Sequence, residues 1–337
     1  MKTNNFARLV WLDNLRAILI VALVFLHITT DETFVQFSSE ESLQIWDSIN
    51  SILTPIRMPL FFFIAGLMSQ NTLSQDWSQL LRKSSRKFLY LSLIWGSFVG
   101  LILITLRMEF DLDSFWLAFT ETTWFLLALA LYFPLTKLSN KIGHLLAPSI
   151  GIIAFFISAP SLSSGFSLLG SLSFYYFYFA VGSFSKKYIF ENLNRISWKL
   201  AFAAGMFFTM SAILMFLSPL GILDAVARFA TNAFAVVMSV SFGVKLLDKP
   251  TELISRIGRN TIGIYLVNSL AVAFIAGALL YLSNFDSSFR LNWIGGIMLS
   301  AIGIVMSLVA AFVIKRLDSR FGLYLLKDPF QRLEKPK

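Results

Sequence analysis

The sequence predicts an all-α fold: a polytopic membrane helix bundle of about ten transmembrane helices with both termini cytoplasmic. Three observations predict it. Of 337 residues, 56% are apolar and only 14% charged, with 35 Phe, and the mean hydropathy is +0.71, well outside the composition of soluble domains. Ten apolar stretches approach the roughly 20 residues a spanning helix needs. Alternate loops then collect the basic residues, as cytoplasmic loops do.

The first stretch, near 11–28, lies in "RLVWLDNLRAILIVALVFLHITT" and contains Asp13, Arg16 and His27. Arg16 interrupts its apolar run and the acidic "TTDET" behind it is no small-residue cleavage site, so the segment reads as a retained span rather than a signal peptide. The second, near 48–69, has Arg57 between Pro55 and Pro59. A kink there would release backbone carbonyls that neighbours or water must satisfy. The third, near 88–107, is preceded by "LLRKSSRKF"; the fourth, near 122–136, carries Glu121 and Trp124 at its outer mouth. The fifth and sixth, near 145–160 and 170–185, include the run "SFYYFYFA", which reads as a packing or lipid-facing surface that also offers the hydroxyls of Tyr175, Tyr176 and Tyr178. The seventh to tenth lie near 200–219, 229–247, 261–283 and 292–314.

With the N-terminus inside, the inner segments hold 23 of the 28 basic residues and the outer ones 11 of the 19 acids, including Asp31, Asp47, Glu109, Asp111 and Asp224. Orientation therefore accounts for the net charge of +9, and no nucleic-acid partner is expected. The longest segments outside the spans, near 29–47 and 70–87 and the tail, are too short to bury a core of their own. The chain divides into a transmembrane domain over 1–314 and a basic cytoplasmic tail over 315–337. There is no Cys, hence no thiol nucleophile or thiolate metal site, and no metal is expected. No P-loop, GxGxxG or internal repeat is present.

Chemistry must then come from ionisable groups at membrane depth, which are costly and usually line a cavity or pathway. Arg16 and His27 are 11 residues apart, a rotation about 20° past three full turns, so they share one face about 16.5 Å apart along the axis. Asp13 can pair with Arg16. Arg57 lies at a depth His27 could reach, and a cation beside a histidine favours the neutral imidazole a general base needs; pairing of Arg57 with an outer acid such as Asp47 is the plainer alternative. Arg82 and Arg86, at i and i+4, can clamp phosphates, although an ordinary positive-inside flank looks the same. Trp124 and Glu121 suit a sugar ring and its hydroxyls, against the plain reading of Trp124 as interfacial belt. His144, beside Lys141, reads as a solvated loop residue.

These pieces occur together and in order in a known family. R-x10-H (Arg16 to His27), "RMPLFFFIAG" at 57–66, Arg82-x3-Arg86, "TWFLLALALYF" at 123–133 and "IGRNTIGIYLVN" at 257–268 make the chain resemble the integral-membrane acyltransferase-3 family, particularly its inner-membrane, fucose 4-O-acetylase-like members. The resemblance implies a multi-pass protein of a bacterial-type inner membrane that moves acetyl groups from cytoplasmic acetyl-CoA, the acyl donor, to a hydroxyl of a glycan or lipid-linked sugar acceptor. It implies His27 as the catalytic residue, with Arg16 essential on the same stripe, and Arg82 and Arg86 as the site for the coenzyme phosphates. Family members often carry Y-x-x-H in the ninth span, where this chain has "YLVN" ending in Asn268. An amide exchanges hydrogen bonds but takes up no proton at neutral pH, so catalysis should rest on His27, as general base or through a transient acyl-imidazole, with Arg57 or Asn268 stabilising the oxyanion. A transporter or flippase for a polar solute would also suit a broken helix and buried arginine, but it predicts neither hydrolysis nor transfer of acetyl.

Overall fold

A computed structural model of the chain describes residues 10–107, 112–143, 146–162, 168–217, 222–249, 251–284, 289–323 and 325–326. Among them the fold is helical throughout, and the only β feature is an isolated parallel bridge between Ser38 and Leu291. The α-helices are α1 (Val10–Thr29), α2 (Glu32–Phe37), α3 (Glu40–Leu73), α4 (Trp77–Leu80), α5 (Arg86–Arg107), α6 (Leu112–Ile142), α7 (Leu146–Leu162), α8 (Leu168–Glu191), α9 (Trp198–Leu217), α10 (Ile222–Leu246), α11 (Glu252–Arg259), α12 (Thr261–Ser283) and α13 (Trp293–Phe321). A π-turn over Leu81–Ser85 joins α4 to α5. Each of the ten apolar stretches falls on one long helix. Six of these, α1, α3, α9, α10, α12 and α13, are long and apolar enough to cross a membrane.

The 29–47 segment differs from the loop that was expected. Asp31 caps α2, its Oδ1 accepting the Thr33 and Phe34 N–H groups at 3.0 and 3.2 Å, and α3 begins at Glu40. The acids hide this from a hydropathy reading, yet Phe34, Phe37 and Trp46 are buried, so the segment has an apolar face. Leu291 then bridges it from both sides, donating its N–H to Phe37 O at 2.7 Å and accepting from the Ser39 N–H at 2.9 Å. Helix α3 also continues through Pro55 and Pro59 for 34 residues.

The helices group into two compact units built from interleaved stretches of chain: Met1–Phe61, Ile189–Tyr265 and Ile275–Leu308 form the first, and Phe62–Tyr188, Leu266–Phe274 and Val309–Lys337 the second. Lipid gives little hydrophobic drive between helices, so close backbone approach through small residues matters more. In the first unit a Cβ on Gly258 of α11 would lie 1.8 Å from the Asp13 carbonyl oxygen of α1, and one on Gly303 of α13 would meet Ile28 at 2.4 Å. In the second unit α3 and α8 touch through a reciprocal pair. A Cβ on Gly66 would sit 2.0 Å from Phe179 O, and one on Gly182 would sit 2.1 Å from Phe63 O. Helix α5 approaches α6 in a similar way, Gly96 against the Phe119 ring and Gly100 against Phe115.

Candidate active site

The ionisable groups of the first span sit in the first unit. Arg16 Nη1 lies 4.0 Å from Asp13 Oδ1 across one helical turn. His27, three turns further along the same stripe, is half-buried, and no hydrogen bond to its imidazole forms within the described residues. Its electrostatic neighbour is Arg57.

Arg57 is 1% exposed. Its Nη1 donates to Ala22 O of α1 at 3.2 Å and to Asn50 Oδ1 at 3.1 Å; its Nη2 donates to Thr54 Oγ1 at 2.9 Å and Asn50 O at 3.4 Å. The amide of Asn50 turns the other way, donating through Nδ2 to Thr29 Oγ1 of α1 at 2.9 Å. Ala22 and Thr29 flank His27, so this network ties α3 to the turn of α1 that bears the imidazole. A buried guanidinium needs such saturation. These hydrogen bonds bind Arg57 to α1 and to its own helix.

The other end of α1 is held as firmly. Asn14, 3% exposed, donates to Leu247 O at 2.8 Å and to Lys249 O at 3.1 Å, and accepts from Ser255 Oγ at 2.9 Å. It thereby fastens the helix carrying Arg16 to the α10–α11 connection. Neither Asn14 nor Asn50 is evident as a site residue from charge alone. A signal existed for Asn50: it is seven residues before Arg57, about 20° short of two full turns, so the two share a face.

The second unit holds the remaining candidates. Arg82 is exposed and Arg86 half-buried, and they do not lie on one regular α-helix as expected. The backbone N–H of Arg86 reaches back to Leu81 O, a five-residue bond that widens the turn between them; π-turns of this kind are frequent at functional sites. Ser85 and Ser92 present buried hydroxyls without partners on the same segment.

Trp124 is half-buried and joins an aromatic cluster centred on Phe62. Its ring centroid is 5.7 Å from that of Phe62 and 5.5 Å from that of Tyr175, which stacks on Phe62 at 5.4 Å. Tyr132 closes the cluster at 5.3 Å from Phe62, and Tyr176 lies 5.2 Å from Tyr132. Tyr132 OH donates to Leu172 O, and Thr136 Oγ1 donates to Tyr176 OH at 3.4 Å. The "SFYYFYFA" run is therefore internal packing: Phe174, Tyr176, Tyr178 and Phe179 are all buried. Asn268 is 2% exposed. Glu121 lies on α6, but its side chain is outside the described residues, as are all of His144 and the outer acids Glu109 and Asp111.

The model of the acyltransferase-3 family, described as an acyltransferase domain, matches residues 9–316. The chain belongs to this family. No curated protein and no solved structure matches it. As an acyltransferase-3 protein it is a multi-pass membrane acyltransferase acting on groups other than amino-acyl groups. Every candidate site residue lies within the matched region, and the two networks that moor α1 show how this member holds its first-span arginine and histidine.

Proposed function

We propose that this acyltransferase is an O-acetyltransferase of a bacterial-type inner membrane, with ten spans and both termini cytoplasmic, that carries acetyl from cytoplasmic acetyl-CoA to a hydroxyl of a glycan or lipid-linked sugar. The observation that carries the reading is the imidazole of His27, half-buried in an apolar helix, unclaimed by any protein hydrogen bond in the described residues, with a fully buried guanidinium anchored beside it. A histidine kept there is available to a substrate proton.

His27 accepts the proton of the acceptor hydroxyl as the oxygen attacks the thioester carbonyl. The C–S bond then breaks, and the coenzyme leaves as the thiolate, which takes a proton from solvent or from the imidazolium. Both Nη atoms of Arg57 are committed to Ala22, Asn50 and Thr54, so its part is to hold α1 and to supply positive charge near the developing oxyanion. Asn268, buried in the second unit, is the amide assigned to substrate binding. Arg16, paired with Asp13, lines the path of the donor. Arg82 and Arg86 hold the coenzyme phosphates, and the face of Trp124 with Glu121 receives the sugar ring.

Purified protein in lipid nanodiscs, given acetyl-labelled acetyl-CoA and a glycan acceptor, should transfer the label. His27→Ala should lower transfer by at least a thousandfold while leaving insertion and thermal stability unchanged. Transfer retained in that variant would remove the proposal.

A further inference from the structure

We propose that Trp77, Lys137 and Lys141 extend the Arg82 and Arg86 pair into a site for the adenosine 3′-phosphate end of the acyl donor, the indole taking the adenine face and Lys141 the 3′-phosphate. The inference rests on the acetyl-CoA reading above and names groups that the reading leaves unused.

The elements concerned all belong to the second unit, and α6 packs along both α4 and the π-turn. Lys137 is fixed at the end of α3, its ammonium donating to Leu73 O at 2.9 Å and also to Gln75 O. From there its Nζ stands 5.6 Å from the Trp77 ring centroid. Lys141, one turn along α6, brings its own Nζ to 5.5 Å from the same ring. An indole flanked by two ammonium groups is a weak mutual anchor in the resting protein. It is also the combination that stacks a base and neutralises its phosphate, the general design of nucleotide-binding surfaces.

Three further observations favour a ligand over a plain basic flank. Arg82 and Lys83 of the π-turn, Arg86 and Lys87 of α5, and Lys137 and Lys141 of α6 put six cationic residues on elements that pack together, beside α4, whose N-terminus Asp76 caps by accepting the Gln79 N–H at 2.7 Å. Lys141 is exposed and forms no ion pair among the described residues. Finally, Gln75 Oε1 is buried without a hydrogen-bond partner two residues from the indole. A buried acceptor calls for a donor, and the exocyclic amine of adenine supplies one.

The test is equilibrium binding of coenzyme A, 3′-dephospho-coenzyme A and adenosine 3′,5′-bisphosphate to the full chain in nanodiscs. Wild type should prefer coenzyme A over its 3′-dephospho form by about tenfold, the worth of one charge-assisted contact. Lys141→Ala should abolish that preference by weakening coenzyme A alone. Trp77→Ala should weaken all three ligands about tenfold, and Trp77→Phe should restore most of the loss. Lys137 is left intact because it secures the end of α3. If both alanine variants bind the three ligands as wild type does, the proposal is wrong while the acetyl-CoA reading stands. If the variants lose only affinity for phosphatidylglycerol in the disc, the site is a lipid contact and the proposal is likewise overturned. If wild type binds none of the three, the donor reading falls as well.

Discussion

Arg57 is held by side chains that carry no charge, and this makes Asn50 as consequential as the arginine it serves. Removing the amide leaves a buried guanidinium short of an acceptor and frees Thr29, so Asn50→Ala should lower the transfer rate by about tenfold to a hundredfold, the equivalent of about 1.4 to 2.8 kcal/mol. In a double-mutant cycle Asn50→Ala and Arg57→Ala should be strongly non-additive, because both break one network; additive losses would show that they act separately. Arg57→Lys should rescue little, since a single ammonium cannot reach Ala22 O, Asn50 and Thr54 together. At the other end, Asn14→Ala strands Ser255 and two backbone carbonyls and should cost about 1–3 kcal/mol, read as a fall in thermal midpoint. The stripe joining Arg16 to His27 was legible in the sequence because charge in an apolar run is conspicuous. The two asparagines obey the same helical arithmetic, but an amide draws no attention when only ionisable groups are sought.

At the scale of elements, the helical character and the six helices long and apolar enough to cross a membrane among the described residues were legible from hydropathy, and their ends were not. Capping by Asp31 and burial of Phe34 and Trp46 turn an acidic stretch into helix, and such contacts are invisible to a hydropathy average. The spacing of Arg82 and Arg86 was read with α-helical geometry, whereas the chain inserts a π-turn at that point. Deleting Lys83 should restore α-helical winding, shorten the Arg82 to Arg86 spacing to three residues and narrow the turn between them, and raise KM for acetyl-CoA with kcat nearly kept. An unchanged KM would mean that the widened turn has no part in donor binding. The glycine contacts give sharper expectations. Gly258→Ala would put a methyl 1.8 Å from the Asp13 carbonyl, and Gly182→Val would wedge α8 off α3. Both should lower folded yield in the membrane, where Gly205→Ala, which meets only Met238 Sδ at 3.7 Å, should not.

For the molecule as a whole, composition and the alternation of basic loops carried most of the reading, because the bilayer constrains length, polarity and orientation together. The absence of Cys makes orientation directly testable. A single cysteine at Glu41 should react with a membrane-impermeant maleimide in intact cells, and one at Arg195, also exposed, only after lysis; the reverse pattern would invert the topology. Separate from orientation is the mooring of α1, by Asn14 and Gly258 at one end and by Arg57, Asn50 and Thr29 at the other. A rod pinned at both tips neither pistons nor swivels, so the imidazole is held in a fixed place. In the proposed reaction, turnover then depends on the traffic of donor and acceptor past it, and viscosity of the surrounding medium should slow the enzyme more than any stiffening of its first helix.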